Sequence, residues 1–429
     1  APVTEPAPAL APAPAVAPAL APAPVAEPAP ALAPAPAVAP APPPAPPVAE
    51  PATAVAPPPV AGSVIEVQPV KRYPDHLPGM LSFNPAKGME LAIRAKLESF
   101  GGWVGADALP EEGDLMQEPG FRLRRARLGL DGSLIRPITF GLEMDLYDEE
   151  RAGGPLYEAW VDATLRSGFF GGTLGVQKLP YSQGEGLSSV YLTHLERPLA
   201  VLAMSPAQVM GLTLHGQPWP GHVFLSAGLY NGIQRKPLFY QGYRGVGMTE
   251  GNRFERLLYA GKLDLVIFGP MGAEIADLYV EPKLRLAVGE GFFVNDGRSI
   301  FGLGSSSYLH LKGWGFHLLA ELLYEKSEPQ AEPTSPENVL AGVFERTTGY
   351  VDLGYMLLPQ RLGVALRIEW LDSDSDRQDQ GDEMILTGTL TYYVVRELCK
   401  VMLEATHREE LHGEAIDNDA VLAGVQLAF

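Results

Sequence analysis

The chain of 429 residues contains a single cysteine, Cys399, and lacks any long, uninterrupted apolar run. One cysteine excludes an internal disulfide framework and any zinc or redox site built on paired cysteines. The longest charge-free stretch, between Arg197 and Arg235, is interrupted by prolines and glutamines. Because a membrane helix needs about 18 or more continuous apolar residues, the sequence predicts no spanning helix.

Basic residues are also scarce. The chain has 51 Asp and Glu against 32 Lys and Arg, a net charge of −19. Such an excess of acids repels the phosphate backbone of nucleic acids, so nucleic-acid binding is disfavoured. The sequence carries neither the G-x-S-x-G motif nor a Walker A motif, and HREELH (407–412) spaces its histidines five apart, which does not match HExxH. We therefore do not expect an enzyme.

Residues 1–60 differ in composition from the rest of the chain. They hold 22 of the 42 prolines and only three charged residues. The sequence EPAPALAPAPAVAPA occurs at 5–19 and again at 27–41. Proline forbids the helix and removes ladder donors, so the pattern predicts a disordered, extended Ala/Pro tail that reaches on the order of 180 Å. Residues 61–88 are predicted to be a transitional linker, and residues 89–429 the folded part.

From Met89 onward, apolar residues occupy every second position for eight to ten residues at a time. Clear cases are 89–97, 140–147, 157–166, 362–370 and 399–405. About sixteen such segments occur, which fits membrane strands of about 9–11 residues better than the strands of about 5–6 residues usual in a soluble β-sandwich. The pattern predicts an all-β fold, a transmembrane antiparallel β-barrel of about 16 strands, with the β-sandwich as the alternative.

A sheet in lipid must close, because unpaired backbone groups in hydrocarbon are costly. One face of each strand then meets lipid and the other lines a lumen, which we expect to be water-filled because charges in a dry interior are costly. Tyr157, Tyr355, Trp370 and Tyr392 are expected on the lipid face. The charged residues expected on the lumenal face are Arg94, Lys96, Glu143, Asp145, Glu158, Asp162, Arg367, Glu369, Lys400 and Glu404.

Three segments carry a resemblance to a known family. FRLRRARLGLDG (121–132), YEAWVDATL (157–165) and GTLGVQKLPYSQGEGLSSVYLTHLERPLA (172–200) resemble the phosphate-selective porin O and P family. The closing AVLAGVQLAF is similar to the last strand that the barrel-insertion machinery reads, with Phe429 as the signal. The resemblance implies a 16-stranded barrel, commonly trimeric, with a lumenal constriction and diffusion of small anions.

Selectivity in this family depends on basic residues that line the pore, because an anion leaving water must be offered positive charge. By this resemblance the pore-lining candidates are Arg94, Lys96, Arg125, Arg127 and Lys178. Acidic residues on the following strands allow a second interpretation, in which Arg125 and Arg127 form cross-strand ion pairs that stiffen the wall.

The run DSDSDRQDQGDE (372–383) places Asp372, Asp374 and Asp376 in one predicted loop. Alternating oxygen donors of this kind suit Ca²⁺, but a solvated loop explains the acids equally well and the glycine of the EF-hand is missing. Ca²⁺ is a weak expectation, and no other cofactor is expected.

Together these features favour an outer-membrane porin that passes small hydrophilic solutes, including anions such as phosphate, with its tail in the periplasm. The start at Ala1 favours removal of a signal peptide. The expected partners are outer-membrane lipid, small solutes, two further copies of the chain, and a periplasmic or peptidoglycan partner for the tail. The alternative function is a non-conducting barrel whose tail anchors an envelope-spanning assembly.

Overall fold

A computed structural model of the chain describes residues 81–83, 89–105, 119–135, 137–147, 156–165, 169–206, 208–236, 239–245, 256–297, 300–330, 342–379, 381–413 and 415–429. The chain divides into residues 1–63 and 64–429, and all described residues belong to the second unit. The predicted tail (1–60) lies outside the described residues, as does most of the predicted linker (61–88). Both remain predictions.

Sixteen strands follow one another along the chain. They are β1 (Glu90–Val104), β2 (Gly120–Ile135), β3 (Ile138–Asp145), β4 (Leu156–Thr164), β5 (Phe170–Lys178), β6 (Gln208–Trp219), β7 (Val223–Asn231), β8 (Leu257–Phe268), β9 (Arg285–Asp296), β10 (Ile300–Gly313), β11 (Phe316–Pro329), β12 (Phe344–Leu358), β13 (Leu362–Leu371), β14 (Glu383–Val395), β15 (Cys399–Glu410) and β16 (Ala420–Ala428).

Each strand pairs antiparallel with the next, and the ring closes where β16 pairs with β1. The register of the closing pair runs from Ala420 opposite Val104 to Ala428 opposite Lys96. Phe429 extends this pairing, since its backbone N–H and C=O each bond to Ala95 at 3.0 Å. Closure leaves no sheet edge, as lipid requires. The predicted barrel of about 16 strands is confirmed.

Short elements complete the fold. They are α1 (Gln183–Gly186), α2 (Leu199–Met204), the 3-10 turns Ser189–Tyr191 and Phe239–Gln241, the strand Leu81–Phe83 that pairs with the start of β1, and the strand pair Ile233–Arg235 and Tyr243–Gly245. Among the described residues, no helix has the length and apolar character needed to cross a membrane.

The inside–outside alternation follows the sequence pattern. On β16, Val421 and Val425 are exposed on the outer face, while Leu422 and Gln426 are buried on the inner face. Tyr355, Trp370 and Tyr392 also face outward, as predicted. The prediction for Tyr157 is wrong.

Tyr157 is buried, and the guanidinium of Arg127 lies 3.5 Å from its ring centroid. A register shift between β3 and β4 pairs Glu143 with Glu158 but Met144 with Leu156, so Tyr157 is an extra residue in β4. Such a β-bulge re-aims side chains locally. In this case it turns an aromatic ring to the inner face.

The two ends of the barrel differ. At one end, where β1 starts and β16 finishes, six of the seven connections have two to five residues. At the other end most connections are longer, and the longest joins β5 to β6. In outer-membrane barrels the short turns lie on the periplasmic side. We call the end with the short turns the short-turn mouth.

Glu290 interrupts the apolar outer belt in the middle of β9. Its neighbours on the inner face are Gly289 and Gly291, while Glu290 itself is exposed and accepts a hydrogen bond from Ser307 on β10. The outward positions along β9 on either side, Val288 and Phe292, are apolar. A carboxylate at this depth faces hydrocarbon, where charge is destabilising.

We expect Glu290→Leu to raise the free energy of unfolding by about 1 kcal/mol or more, because it removes a carboxylate from the lipid face. Urea unfolding of the protein in lipid vesicles measures this. Glu409→Leu, an exposed position near the end of β15, is the matched control and should change stability less. Equal effects of the two substitutions would show that Glu290 does not lie in the hydrocarbon belt.

Candidate pore constriction

Residues 179–206, which connect β5 to β6, fold into the lumen and cross it. We call them the constriction segment. On one side Lys400 of β15 donates to the carbonyl oxygens of Val190 and Leu192, at 2.9 and 2.6 Å. On another side Lys262 of β8 donates to Gln183 at 2.7 Å. Because β8 and β15 lie far apart around the ring, a segment that bonds to both spans the bore.

The first part of the segment is held by a carboxylate on β11. Glu321 accepts the backbone N–H groups of Gln183 and Gly184, each at 2.8 Å, and is itself bonded by Ser306 at 2.6 Å and by Tyr350 at 3.1 Å. These N–H groups open α1, where helix amides have no partner within the helix. Glu321 therefore fixes the start of α1 against the wall.

The middle of the segment is held by His194. Its Nδ1 lies 2.6 Å from Oγ1 of Thr389 and 3.6 Å from Glu404, and its Nε2 lies 3.5 Å from Asp352. Leu195 adds a backbone N–H bond to Glu404 at 2.9 Å. Burial alone would lower the pKa of His194, but the carboxylates of Asp352 and Glu404 together outweigh burial, and the pKa is raised, which favours the charged form. His194 thus ties the segment to β12, β14 and β15.

The third anchor is Glu196. Nε of Arg124 lies 2.7 Å from its carboxylate, and Nη2 of Arg125 lies 2.5 Å away. A β-bulge makes this double contact geometrically feasible, because Glu98 pairs with Arg125 and Ser99 with Leu123, leaving Arg124 as the extra residue. Burial alone would raise the pKa of Glu196, but the nearby arginines hold it well below its ordinary value.

Apolar packing holds the far side of the segment. In α2, the side chains of Val201 and Met204 are fully buried, in one cluster with Tyr181, Tyr230 and Phe293. The ring of Tyr181 meets Phe293 edge-on, with 4.9 Å between centroids. The close approach to β9 requires glycine at 291, since a Cβ there would overlap the carbonyl oxygen of Tyr181. The segment is therefore packed into the wall as a protein core would be.

The wall formed by β1, β2 and β3 keeps more contact with water. Arg94 donates to Glu143 at 2.9 Å and to Asp131 at 3.0 Å, and Arg127 donates to Asp145 at 2.6 Å. The side chains of Arg94 and Asp131 are 19% and 22% exposed, against 1% for Lys400. We call Arg94, Arg127, Asp131, Glu143 and Asp145 the charged ladder.

The predicted pore-lining residues all lie on the inner face of the barrel. The ladder members Arg94, Arg127, Glu143 and Asp145 form the ion pairs given above, so the structure displays the cross-strand pairing that the sequence left open. Glu158 is buried. The others form hydrogen bonds with the constriction segment, with neighbouring wall groups, or with both: Lys96, Arg125, Asp162, Lys178, Arg367 and Lys400.

A water-filled lumen around all these charges is therefore not what the structure shows. Arg125, Arg367 and Lys400 are buried, and each is bonded to the constriction segment. Protein donors and acceptors replace the water that the sequence argument required. The sequence argument missed Glu321 and Asp352 as anchors, although both occupy lumenal positions of an alternating strand and the pattern alone could have placed them.

The three aspartates considered for Ca²⁺ lie in the loop between β13 and β14. Asp372 accepts from Ser375 at 2.9 Å, Asp374 pairs with Arg377 at 3.3 Å, and Asp376 is exposed. In the part of the chain that the structure describes, no group of three or more His, Cys, Asp or Glu side chains is arranged to hold a metal ion. Ca²⁺ binding stays an untested prediction.

Comparison with known proteins gives a family match and a fold match. The family model described as phosphate-selective porin O and P matches residues 101–254. No curated protein sequence matches the chain. The solved structures similar to it include the outer-membrane channel DcaP of Acinetobacter baumannii, with 13% identity and a TM-score of 0.53 over 81% of this chain and 99% of that one.

Two further solved structures have the same fold. The anion-selective porin from Comamonas acidovorans has 11% identity and a TM-score of 0.52 over 80% of this chain and 100% of that one. Salmonella typhi OmpF, in complex with daunomycin, has 11% identity and a TM-score of 0.50 over 81% of this chain and 100% of that one. Family and fold are typical of channels rather than enzymes. The resemblance seen in the sequence is thus confirmed over residues 101–254, which are similar to the phosphate-selective porins O and P, and the barrel has the fold of outer-membrane porins.

Proposed function

We propose that small hydrophilic solutes cross the barrel between the constriction segment and the charged ladder of β1, β2 and β3. The observation that carries this proposal is the partial exposure of Arg94 and Asp131, in contrast to the buried charges that the segment covers elsewhere. A path lined by charge offers donors and acceptors to a solute that has shed water. On the rest of the wall, the constriction segment covers charged groups of β8, β11, β12 and β15.

The charge balance of the ladder supports weak rather than strong selectivity. Two arginines face three carboxylates, and each arginine is already engaged by at least two of them. Anions, phosphate among them, are the substrate class that the family description and the anion-selective neighbour suggest. A passing anion has to compete with Glu143 for both Arg94 and Arg127.

The proposal extends to assembly and orientation. We infer a homotrimer, as the family resemblance implies, set in the outer membrane with the short-turn mouth toward the periplasm. We further propose that the Ala/Pro tail extends into the periplasm, as a spacer or to bind a periplasmic partner.

Charge selectivity tests the ladder. We expect Glu143→Gln to shift the reversal potential in a salt gradient toward anion selectivity, because it removes the negative charge that Arg94 and Arg127 share, and Arg94→Gln to shift it toward cations. Each shift should change the permeability ratio by about twofold or more. Reversal potentials in planar bilayers measure this, with phosphate added as a competing anion.

Lys326→Gln is the matched control for these variants. Lys326 lies on the outer face of β11, where it pairs with Glu345 at 2.7 Å, so its removal should leave selectivity unchanged. If Glu143→Gln and Arg94→Gln also left the reversal potential unchanged, solutes would not pass the ladder.

A pH dependence follows from His194. Its charged form helps to hold the constriction segment, so this contribution is complete below the ordinary value of 6.5 and is lost as pH rises through the raised pKa. Besides Asp352 and Glu404, Arg367 acts on His194 and opposes its protonation. We expect the current to increase as pH rises from about 6 into the alkaline range. His194→Gln should remove most of this difference, and an unchanged pH profile in that variant would contradict the assignment.

A further inference from the structure

The connection between β8 and β9 differs from every other connection at the short-turn mouth. The other six have two to five residues, whereas this one comprises residues 269–284. We call it the mouth segment. All of its residues belong to the described part of the chain, and they make specific contacts with the wall. A long insertion where the barrel otherwise turns tightly is typical of a functional element.

The mouth segment crosses the opening from one side to the other. The backbone N–H of Trp314, in the turn after β10, donates to the carbonyl of Glu281 at 2.7 Å. The N–H of Gln360, in the turn after β12, donates to Leu278 at 2.9 Å. The guanidinium of Arg396, in the turn after β14, lies 5.5 Å from the ring centroid of Tyr279. The segment therefore reaches three successive turns beyond the strands that it connects.

Asp277 organises this crossing. It is buried, accepts the backbone N–H of Gly315 at 2.7 Å and that of Glu281 at 3.3 Å, and forms an ion pair with Arg285. One carboxylate thus fixes a residue of its own segment, the turn between β10 and β11, and the start of β9. Removing such a carboxylate leaves its former partners without an acceptor in a buried site.

The inner part of the mouth segment enters the lumen and meets the constriction segment. Ile275 is buried in the same apolar cluster as Leu187 and Leu192 of the constriction segment. The carbonyl oxygens of Glu274 and Ile275 lie 2.7 Å from Nζ of Lys312 and 3.2 Å from Nε2 of His310, both on the inner face of β10. The two segments enter from opposite ends of the barrel and touch within it.

We propose that the mouth segment is a second constriction element, which sets the conductance and size limit of the pore from the short-turn mouth. This inference rests on the proposed function, because it concerns the same solute path. A solute that passes the charged ladder must also pass the mouth segment to leave the barrel. The contact at Ile275 couples the two elements, so displacing the mouth segment also removes apolar support from the constriction segment.

The direct test replaces residues 271–282 with Asn-Gly, which leaves a connection of six residues between β8 and β9, close in length to the other turns at this mouth. We expect the single-channel conductance to rise by about twofold or more, and larger sugars to enter proteoliposomes in a swelling assay. The milder Asp277→Asn keeps the segment and weakens its anchoring, and we expect an intermediate increase with more frequent current fluctuation. This second variant decides the question if the shortened chain does not fold.

Asp417→Asn is the matched control, since Asp417 is an exposed acid in the β15–β16 loop at the opposite mouth. It should leave conductance unchanged. If the wild-type protein and the folded mouth-segment variants had the same conductance and the same sugar cut-off, this inference would be overturned and the porin function would stand. Silence of the wild type and of every folded variant would overturn the proposed function itself. A silent wild type with a conducting variant would support a mouth segment that closes the pore.

Discussion

The structure depends on one constraint, the pairing of every backbone amide in a medium without water. Sixteen antiparallel strands satisfy it only by closing, and the contact between β16 and β1 completes the ring. Closure then dictates the rest, because each strand must show one face to lipid and the other to an enclosed space. Among the described strand residues, charged side chains lie mainly on the inner face, where burial is costly unless they are paired.

Two different solutions to that problem coexist in this barrel. Over most of the circumference the constriction segment replaces water, and its backbone and side chains pair with wall groups such as Glu321, Lys400 and Glu404. Along β1, β2 and β3, the charges pair with one another and keep some contact with water. A solute path is expected where charges remain hydrated, because opening the packed side would leave many buried groups without partners.

Sequence and structure agree where the chain is periodic. The alternation that includes Leu142, Met144 and Leu366 located strands and assigned their faces, because apolar residues at every second position share one face of a strand. The prediction failed for Tyr157, because one extra residue in β4 turns its side chain to the inner face. A β-bulge leaves no periodic pattern from which its position could be predicted. The bounds of the constriction segment and the presence of the mouth segment could not be predicted, because connecting residues carry no repeat and their inward course depends on contacts with strands distant in sequence. Residues such as His194 and Asp277 gain their roles only from those contacts.

The central claim is that solutes pass beside the charged ladder and not through the packed side of the lumen. Cysteine accessibility during conduction tests it most directly, in a Cys399→Ser background. We expect a negatively charged thiosulfonate reagent to reduce current through Arg94→Cys, and to leave Thr348→Cys unaffected, because Thr348 is fully buried on the inner face of β12. Current block at Thr348→Cys with no effect at Arg94→Cys would contradict the account and place the path on the opposite wall.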